Sequence, residues 1–339
     1  MLRAIELAQR GAGNVAPNPM VGCVIVHNNQ IIGEGWHRNY GGPHAEVHAI
    51  QSVMDKTLLT QSELFVTLEP CSHFGKTPPC ADLIVTSGIP SVHVACLDPN
   101  PLVAGKGIDK LKSAGISVDI GMCETEAYFM NRRFFTSIKQ NRPYIRLKWA
   151  MSLDGFLDKH RSADETGSFR ISGDAARRLS HKWRTEEAAI LIGSRTAQID
   201  NPELTARFWP GESPTRILID PNLKVSENAK IFNQKTTTLV YNFVLNKIVV
   251  NIEYIKIEPL NFISLILSDL HNRKIQSLIV EGGANTLQRF IDGNYWDEVS
   301  VFQSNIKIEK GLLAPEIPTG NKIKEKIGND LLIQTYREI

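Results

Sequence analysis

The apolar pattern of this chain changes period repeatedly but breaks outright only once, and this constrains the fold more than any other feature. Short buried-strand runs alternate with helical spacing as far as Asn141-Arg142-Pro143, and then the alternation starts afresh. Before the break, residues 21–26 (VGCVIV) form a continuous apolar run, Asn28-Asn29 supplies a turn and Ile31-Ile32-Gly33 resumes, which predicts a hairpin. A helix is expected from about Pro43 to Met54, a strand at Leu64–Leu68, a helix over 80–87 stopped by Gly88, and a strand at Val92 and Val94. Ile108, Leu111 and Ala114 then sit at helical spacing, and Ile116, Val118 and Ile120 alternate. Residues 122–139 read as one helix, with Met130, Phe134 and Ile138 spaced by four. A residue before proline is pushed out of the helical region, so the domain boundary is placed at the break, dividing the chain into residues 1–141 and 142–339.

In the second part, Ile145, Leu147, Trp149 and Met151 share one face of a strand, and Arg146, Lys148 and Ala150 share the other. Leu179 and Trp183 mark a helix. Ala188–Ile192, Ile217–Ile219 and Leu278–Val280 read as buried strands, with polar loops at 158–168 and 206–215. Strands separated by helices imply layered α/β domains, and 339 residues suit two of them.

The net charge is +2, divided as −1 over residues 1–141 and +3 over the rest, so neither part is a module that binds nucleic acid by bulk charge. Five cysteines are too few and too unevenly spaced for a disulfide framework. The opening MLRAIELAQRG lacks the apolar core and cleavage site of a signal peptide, and no run approaches the roughly 18 apolar residues of a membrane span. The expectation is a cytoplasmic protein with no membrane partner.

Chemistry is concentrated in Pro43-His44-Ala45-Glu46, Pro70-Cys71 and, nine residues on, Cys80. One imidazole and two thiolates suit Zn²⁺, and three protein ligands leave the fourth tetrahedral corner for water, the arrangement of a catalytic site. Zinc lowers the pKa of that water toward neutrality, giving a hydroxide nucleophile. Glu46 is too close in sequence to His44 to share a mid-helix face with it, so the metal is expected off the helix's first turn, which Pro43 can open. Glu46 can then carry the water's proton to a ring nitrogen and a departing amine, as in zinc nucleobase deaminases with H-x-E and P-C-x-x-C. Here the second cysteine is displaced by the insert Ser72–Pro79. A structural site completed by His48 or His73 is the competing reading. Cys23, Cys96 and Cys123 read as buried small hydrophobes.

The long segment Pro70–Cys80, with His44-Ala45-Glu46 and Asp98-Pro99-Asn100-Pro101, resembles the bifunctional deaminase–reductase family of riboflavin biosynthesis. The resemblance covers nearly the whole chain; it is strongest over 14–108, good over 144–207 and patchy after about 221. It implies a cytidine-deaminase-like α/β/α domain followed by a dihydrofolate-reductase-like α/β domain. The first would remove the 2-amino group of 2,5-diamino-6-ribosylamino-4(3H)-pyrimidinone 5′-phosphate. The second would use NADPH to reduce the ribosyl group of 5-amino-6-(5-phosphoribosylamino)uracil to ribityl. The resemblance further implies zinc ligation by His44, Cys71 and Cys80, Glu46 as proton shuttle, and substrate contacts from Asn18, His37, His73 and Lys76. In the second domain it implies substrate contacts from Ser168, Arg184, Leu204, Arg207 and Glu281. The cofactor falls to Ala150, Arg170, Thr196, Asp200 and the run Gly283-Ala284-Asn285-Thr286-Leu287, with Ser152-Leu153-Asp154-Gly155 lining the cleft and Lys148 a lesser candidate. A homo-oligomer is expected.

Three segments depart from the family pattern. No tryptophan follows Ser168, residues 221–262 are short and rich in Asn, Lys and Ile, and Phe302–Ile317 does not read as the customary final strand pair. A nucleoside or tRNA-base deaminase with a C-terminal binding domain shares the zinc motif. Against it stand the Ser72–Pro79 insert and the lack of an aromatic-rich basic stripe.

Overall fold

A computed structural model describes residues 1–72, 78–100, 104–162 and 165–337. The chain forms two compact units, Met1–Asn141 and Arg142–Ile339. In the first, the elements run α1 (Leu2–Gln9), β1 (Gly22–His27), β2 (Gln30–Trp36), α2 (Ala45–Ser52), β3 (Glu63–Leu68), α3 (Cys80–Thr86), β4 (Ser91–Cys96), α4 (Lys106–Ser113), β5 (Ser117–Ile120), α5 (Glu124–Met130) and α6 (Arg132–Gln140). One sheet orders them β2-β1-β3-β4-β5, antiparallel across β2, β1 and β3 and parallel from β3 to β5. The hairpin turns at Asn28 and Asn29, whose φ angles of 48° and 60° are the left-handed pair that a two-residue turn needs and asparagine tolerates.

Apolar side chains leave both faces of this sheet. Cys23, Ile25, Leu64, Val66, Val92 and Val94 pack with Ala49, Ile84, Ile108 and Leu111 of α2, α3 and α4. Val24 packs with Ala4 and Leu7 of α1 on the other side. The result is the expected helix–sheet–helix layering. α2 lies so close to β2 that a Cβ on Gly35 would meet Ala45 O and Ala49 N at 2.3 Å each. Only glycine permits that approach, and it sets the depth of the helix that begins at the His44–Glu46 segment.

Residues 122–139 are not one helix. Asn131 interrupts it (φ −100°, ψ 17°) because its buried amide accepts from Met20 N at 2.9 Å and donates to Met20 O at 2.8 Å. Periodicity within a segment carries no trace of a backbone partner 111 residues away.

The second unit comprises β6 (Tyr144–Met151), β7 (Phe156–Lys159), α7 (Asp174–Glu186), β8 (Ala189–Gly193), α8 (Ser194–Asp200), β9 (Thr215–Ile219), β10 (Thr238–Asn242), β11 (Lys247–Val249), β12 (Ile252–Lys256), α9 (Phe262–Asn272), β13 (Ser277–Val280), α10 (Ala284–Asp292), β14 (Glu298–Gln303), β15 (Gly311–Leu313), β16 (Asn321–Ile327) and β17 (Asp330–Tyr336). Ten strands order as β11-β12-β10-β9-β8-β13-β6-β14-β17-β16, parallel from β12 through β14, while β15 pairs with β7 apart. Helices α9 and α10 cover one face and α7 and α8 the other. Strand β6 is therefore covered on both sides. Arg146, on its polar-reading face, is buried beneath Trp183 (4.7 Å from the ring centroid) with Glu298 3.0 Å away. The final antiparallel pair, β16 and β17, follows the departing Phe302–Ile317 stretch. Among the described residues, no helix is long and apolar enough to cross a membrane.

Candidate functional site

In the first unit, three elements end at one point. His44 is the extended residue that caps α2, Cys71 lies three residues beyond β3, and Cys80 opens α3 directly after Pro79. Pro43 thus precedes the cap instead of occupying the first turn. His44 Nδ1 stands 3.6 Å from Cys71 Sγ and 3.4 Å from Cys80 Sγ, and the three donor atoms lie within 4.8 Å of one another. Cys80 N donates to Cys71 Sγ at 3.3 Å. Hydrogen bonding from the Cys80 thiol, with the imidazole beside it, holds the Cys71 sulfur down to about 4, and the same partnership with burial pushes Cys80 up. His48 is not part of the group, and no other cluster of metal-ligand type forms among the described residues.

Glu46, in the first turn of α2, is buried, and its Oε2 has no hydrogen-bond partner among the described residues. Burial pushes its carboxyl up to about 6, against the pull of His44. One nitrogen, two sulfurs and an orphaned carboxylate oxygen beside them fit a three-ligand zinc site with a proton carrier. His37 is buried edge-on to His44 (5.4 Å between centroids), bonds Pro43 O through Nδ1 and meets the Asn18 amide at 3.3 Å through Nε2. His73 and Lys76 lie outside the described residues.

Sequence reasoning missed Glu69. Its buried carboxylate accepts from Asp98 N (3.2 Å), Gly105 N (3.0 Å), Gly107 N (2.9 Å) and Ile108 N (3.4 Å), tying the entry of α4 to the strand end that carries Cys71. A Cβ on Gly107 would meet Pro70 O at 2.0 Å, so that close seat also demands glycine. A carboxylate directly after an apolar strand was the available signal.

In the second unit, the carboxyl ends of β6, β8 and β13 are neighbours, the place where open parallel sheets bind ligands. Glu281, just past β13, takes both Nε (3.0 Å) and Nη2 (2.7 Å) of Arg184, whose Nη1 reaches Thr205 O at 3.0 Å. Lys148 Nζ stands 3.8 Å from the same carboxylate. Burial opposes ionisation of Glu281, but Arg184 and Lys148 outweigh it and hold the group at about 2. Gly283 caps α10 and donates its N–H to Thr196 Oγ1 at 2.9 Å, joining the first turns of α8 and α10. Ala284 and Asn285 border an open groove of about 570 Å³ with Gln288, Arg289, Leu313 and Pro315. The first-turn N–H groups of α10, which a helix leaves without intrahelical acceptors, suit the diphosphate of a dinucleotide.

The cytidine and deoxycytidylate deaminase zinc-binding region matches residues 1–96, and the RibD C-terminal domain matches residues 143–306. The riboflavin biosynthesis protein RibD of Aquifex aeolicus is 41% identical, with 98% of this chain and 96% of that protein aligned. The chain belongs to the RibD family. Its members in the solved structures include the diaminohydroxyphosphoribosylaminopyrimidine deaminase/5-amino-6-(5-phosphoribosylamino)uracil reductase of Thermotoga maritima (TM-score 0.89, 35% identity, 99% of this chain and 97% of that one). Acinetobacter baumannii RibD superposes with a TM-score of 0.86 at 32% identity, covering 100% of this chain and 98% of that one. This RibD-family chain is a bifunctional deaminase and reductase of riboflavin biosynthesis, with a zinc-binding deaminase domain first and a reductase domain second.

Within this RibD-type reductase unit, the residues singled out from sequence gather unequally. Arg184, Glu281 and Lys148 meet directly, and buried Leu204 (φ 58°) joins them through Thr205, as does Arg207, whose Nη1 lies 3.3 Å from Thr205 Oγ1. Asp200 is pushed up to about 6 by burial, against the pull of Arg161 at 3.8 Å; the neighbouring Ile199 O holds Gly167 N at 2.7 Å. Ser168 and Arg170 are exposed, and Arg170 pairs with Asp174 on its own surface, apart from that group. Ala150 packs into the α7–α8 side of the core, and Leu287 is fully buried in the opposite cluster, so any contact that Leu287 makes with a ligand comes from its backbone. Thr286 follows Asn285 in the first turn of α10. In the cleft segment, Ser152 is buried and donates to Asp154, whose carboxylate accepts from Ile308 N and Glu309 N, so both side chains brace a turn.

Proposed function

We propose that the first unit holds one Zn²⁺ through His44, Cys71 and Cys80 and hydrolyses the 2-amino group of 2,5-diamino-6-ribosylamino-4(3H)-pyrimidinone 5′-phosphate. The observation that carries the reading is the convergence of one imidazole and two thiols beside a buried carboxylate oxygen that has no partner among the described residues. A bound zinc would acidify water at its open corner. Glu46, kept dry and near neutral pH in its proton affinity, takes a proton from the attacking water and passes it to the ring nitrogen, then moves the proton left on the added hydroxyl to the amine; the C–N bond breaks, ammonia leaves and the ring carbon becomes a carbonyl. Asn18 and His37, linked to each other beside His44, orient the pyrimidine, and His73 and Lys76 contact the substrate from the insert.

The second unit takes the deaminated product and reduces its ribosyl group to ribityl with NADPH, which supplies the hydride. Glu281, ionised at any neutral pH, accepts from sugar hydroxyls, with Lys148 and Arg184 fixing its two oxygens. Leu204, Arg207 and Ser168 complete the substrate contacts. The first turn of α10 (Ala284, Asn285, Thr286, Leu287 after Gly283) receives the cofactor's diphosphate, while Thr196 and Asp200 of α8, Ala150 of β6 and Arg170 border the rest of it.

One coupled assay tests both halves. Given the diaminopyrimidinone phosphate and NADPH, the zinc-loaded protein releases ammonia first, and nicotinamide absorbance falls only as deaminated product accumulates. No ammonia from zinc-loaded protein would refute the first assignment; ammonia without loss of NADPH absorbance would refute the second.

A further inference from the structure

Beneath α7, the face of β6 that carries Arg146 and Lys148 meets two aromatic rings. Phe302 of β14 lies on that same face, because Ser300 and Phe302 pair in parallel register with Lys148 and Ala150. Trp183 comes from α7. The four side chains form one row. Arg146 Cζ stands 4.7 Å from the centroid of the Trp183 ring, Trp183 stacks on Phe302 (centroids 5.3 Å apart, planes at 23°), and Lys148 Nζ stands 6.0 Å from the Phe302 centroid.

The row is clamped at one end and loose at the other. Arg146 is buried with Glu298 at 3.0 Å and Glu187 at 3.6 Å, and both rings are buried as well. The Lys148 side chain is 14% exposed, and among the described residues Glu281 is its one carboxylate within ion-pair distance, at 3.8 Å. That is too long for a full hydrogen bond. Burial holds the Lys148 pKa below the usual lysine range, against the pull of Glu281, and the Arg184 charge adds to the drop. An ammonium paired so loosely is free to swing or to shed its proton unless something else favours the charge where it stands. The negative face of an aromatic ring does this, most strongly where water is excluded. Phe302 can also give the attraction a fixed direction, since Trp183 stacks on it and Arg146, held by two carboxylates, lies against Trp183.

We infer that Phe302 and Trp183 are positioning residues of the reductase: the stacked rings hold the Lys148 ammonium beside Glu281, so that the sugar meets an ordered pair of charges. The inference rests on the reading that Glu281 borders that sugar. Both rings are buried, and they act through Lys148.

The test replaces Phe302 with mono-, di- and trifluorophenylalanine in the full-length zinc-loaded protein. Fluorine leaves the shape of the ring nearly unchanged while it drains the negative face, so packing and attraction for a cation are separated. Reductase kcat on 5-amino-6-(5-phosphoribosylamino)uracil, followed by NADPH absorbance, should fall with each fluorine, to about a fifth or less in the trifluoro protein, while KM for NADPH stays put. W183F, which keeps a ring, should retain most of kcat, and W183L should lose as much as the trifluoro protein does. Ammonia release and an unchanged melting temperature establish that the fluorinated proteins are folded. A kcat within about 1.5-fold of wild type across the series overturns the inference, and equal losses in W183F and W183L overturn the part given to Trp183. The Lys148 ¹³Cε resonance, assigned with K148R, separates this inference from the reading beneath it. Its titration midpoint should move down with each fluorine, because the charged form loses its attraction while the charged groups that face it, Glu281 and Arg184, are unaltered. If the wild type does not reduce the pyrimidine sugar, the reductase assignment fails, yet a falling midpoint still supports the hold of the rings on Lys148, and a static one overturns it.

Discussion

Removing the Arg184 guanidinium by R184Q should destabilise the second unit by about 3 kcal/mol, and the structure gives that figure by two routes. Arg184 and Glu281 are 12% and 10% exposed and joined by two bonds of 3.0 and 2.7 Å. Breaking a buried pair by deleting one partner costs about 3–5 kcal/mol, and Lys148 at 3.8 Å keeps the loss near the lower end. Independently, Glu281 stands at about 2 against an ordinary 4.5, and a difference of about 2.5 units corresponds to about 3 kcal/mol. The folded value is depressed, so this stability is fully present above pH 4.5 and is lost as pH falls toward 2. The gap between wild type and R184Q therefore narrows on acidification, to about 1 kcal/mol at pH 3. Four of the five tryptophans (Trp149, Trp183, Trp209 and Trp296) belong to the second unit, so tryptophan emission during urea unfolding reports mainly on it. With a slope of about 2–3 kcal/mol per molar urea, the midpoint should fall by about 1 M or more at pH 7. A displacement under about 0.3 M at pH 7, or a gap that widens at pH 3, would refute the reasoning.

Replacing Glu46 with Gln keeps shape and burial but removes the proton carrier. Ammonia release should fall by about 10²–10⁴-fold with zinc content unchanged, and turnover within tenfold of wild type would remove Glu46 from the chemistry. Stripping metal with a chelator should abolish ammonia release while NADPH oxidation on supplied deaminated substrate continues; parallel loss of both activities would contradict separate sites. N131A leaves Met20 N and O without the partners they have at 2.9 and 2.8 Å, and it should lower the stability of the first unit by about 2 kcal/mol. Thermal inactivation of ammonia release measures this, and an unchanged half-life would show that the break between α5 and α6 needs no such clamp.

Local features were the legible ones. The β1–β2 hairpin announced itself through Asn28-Asn29, and α2, β3, α3 and β4 fell where period and glycine stops put them. What escaped was polar and long-range. Asn131 splits a helix through Met20, Glu69 gathers donors from 98–108, and Arg146 sits inside a sheet covered on both faces. In each case a polar side chain is buried against a partner distant in sequence, and sequence spacing holds no record of that partner. β16 was hidden for the opposite reason. As the sheet's edge strand it is exposed over nearly its whole length, so NKIKEKI has no buried face to impose a readable apolar alternation.

The two sites differ in legibility for the same physical reason. A soft metal ion accepts few residue types, so His44, Cys71 and Cys80 stand out even with an eight-residue insert between the cysteines. The reductase cluster uses common residues brought from β6, α7 and the end of β13 by strand order, and its roles become distinguishable only through occupancy. Each of the three Arg184 nitrogens already serves a protein acceptor, so this arginine holds Glu281 and the 204–205 loop in place. Arg207 is exposed and, among the described residues, meets Thr205 Oγ1, a Glu203 oxygen 3.7 Å away and the Phe208 ring. Two arginines to which the family resemblance gives one substrate-contacting role thereby differ in their surroundings: Arg184 is committed to protein acceptors, whereas Arg207 stands exposed.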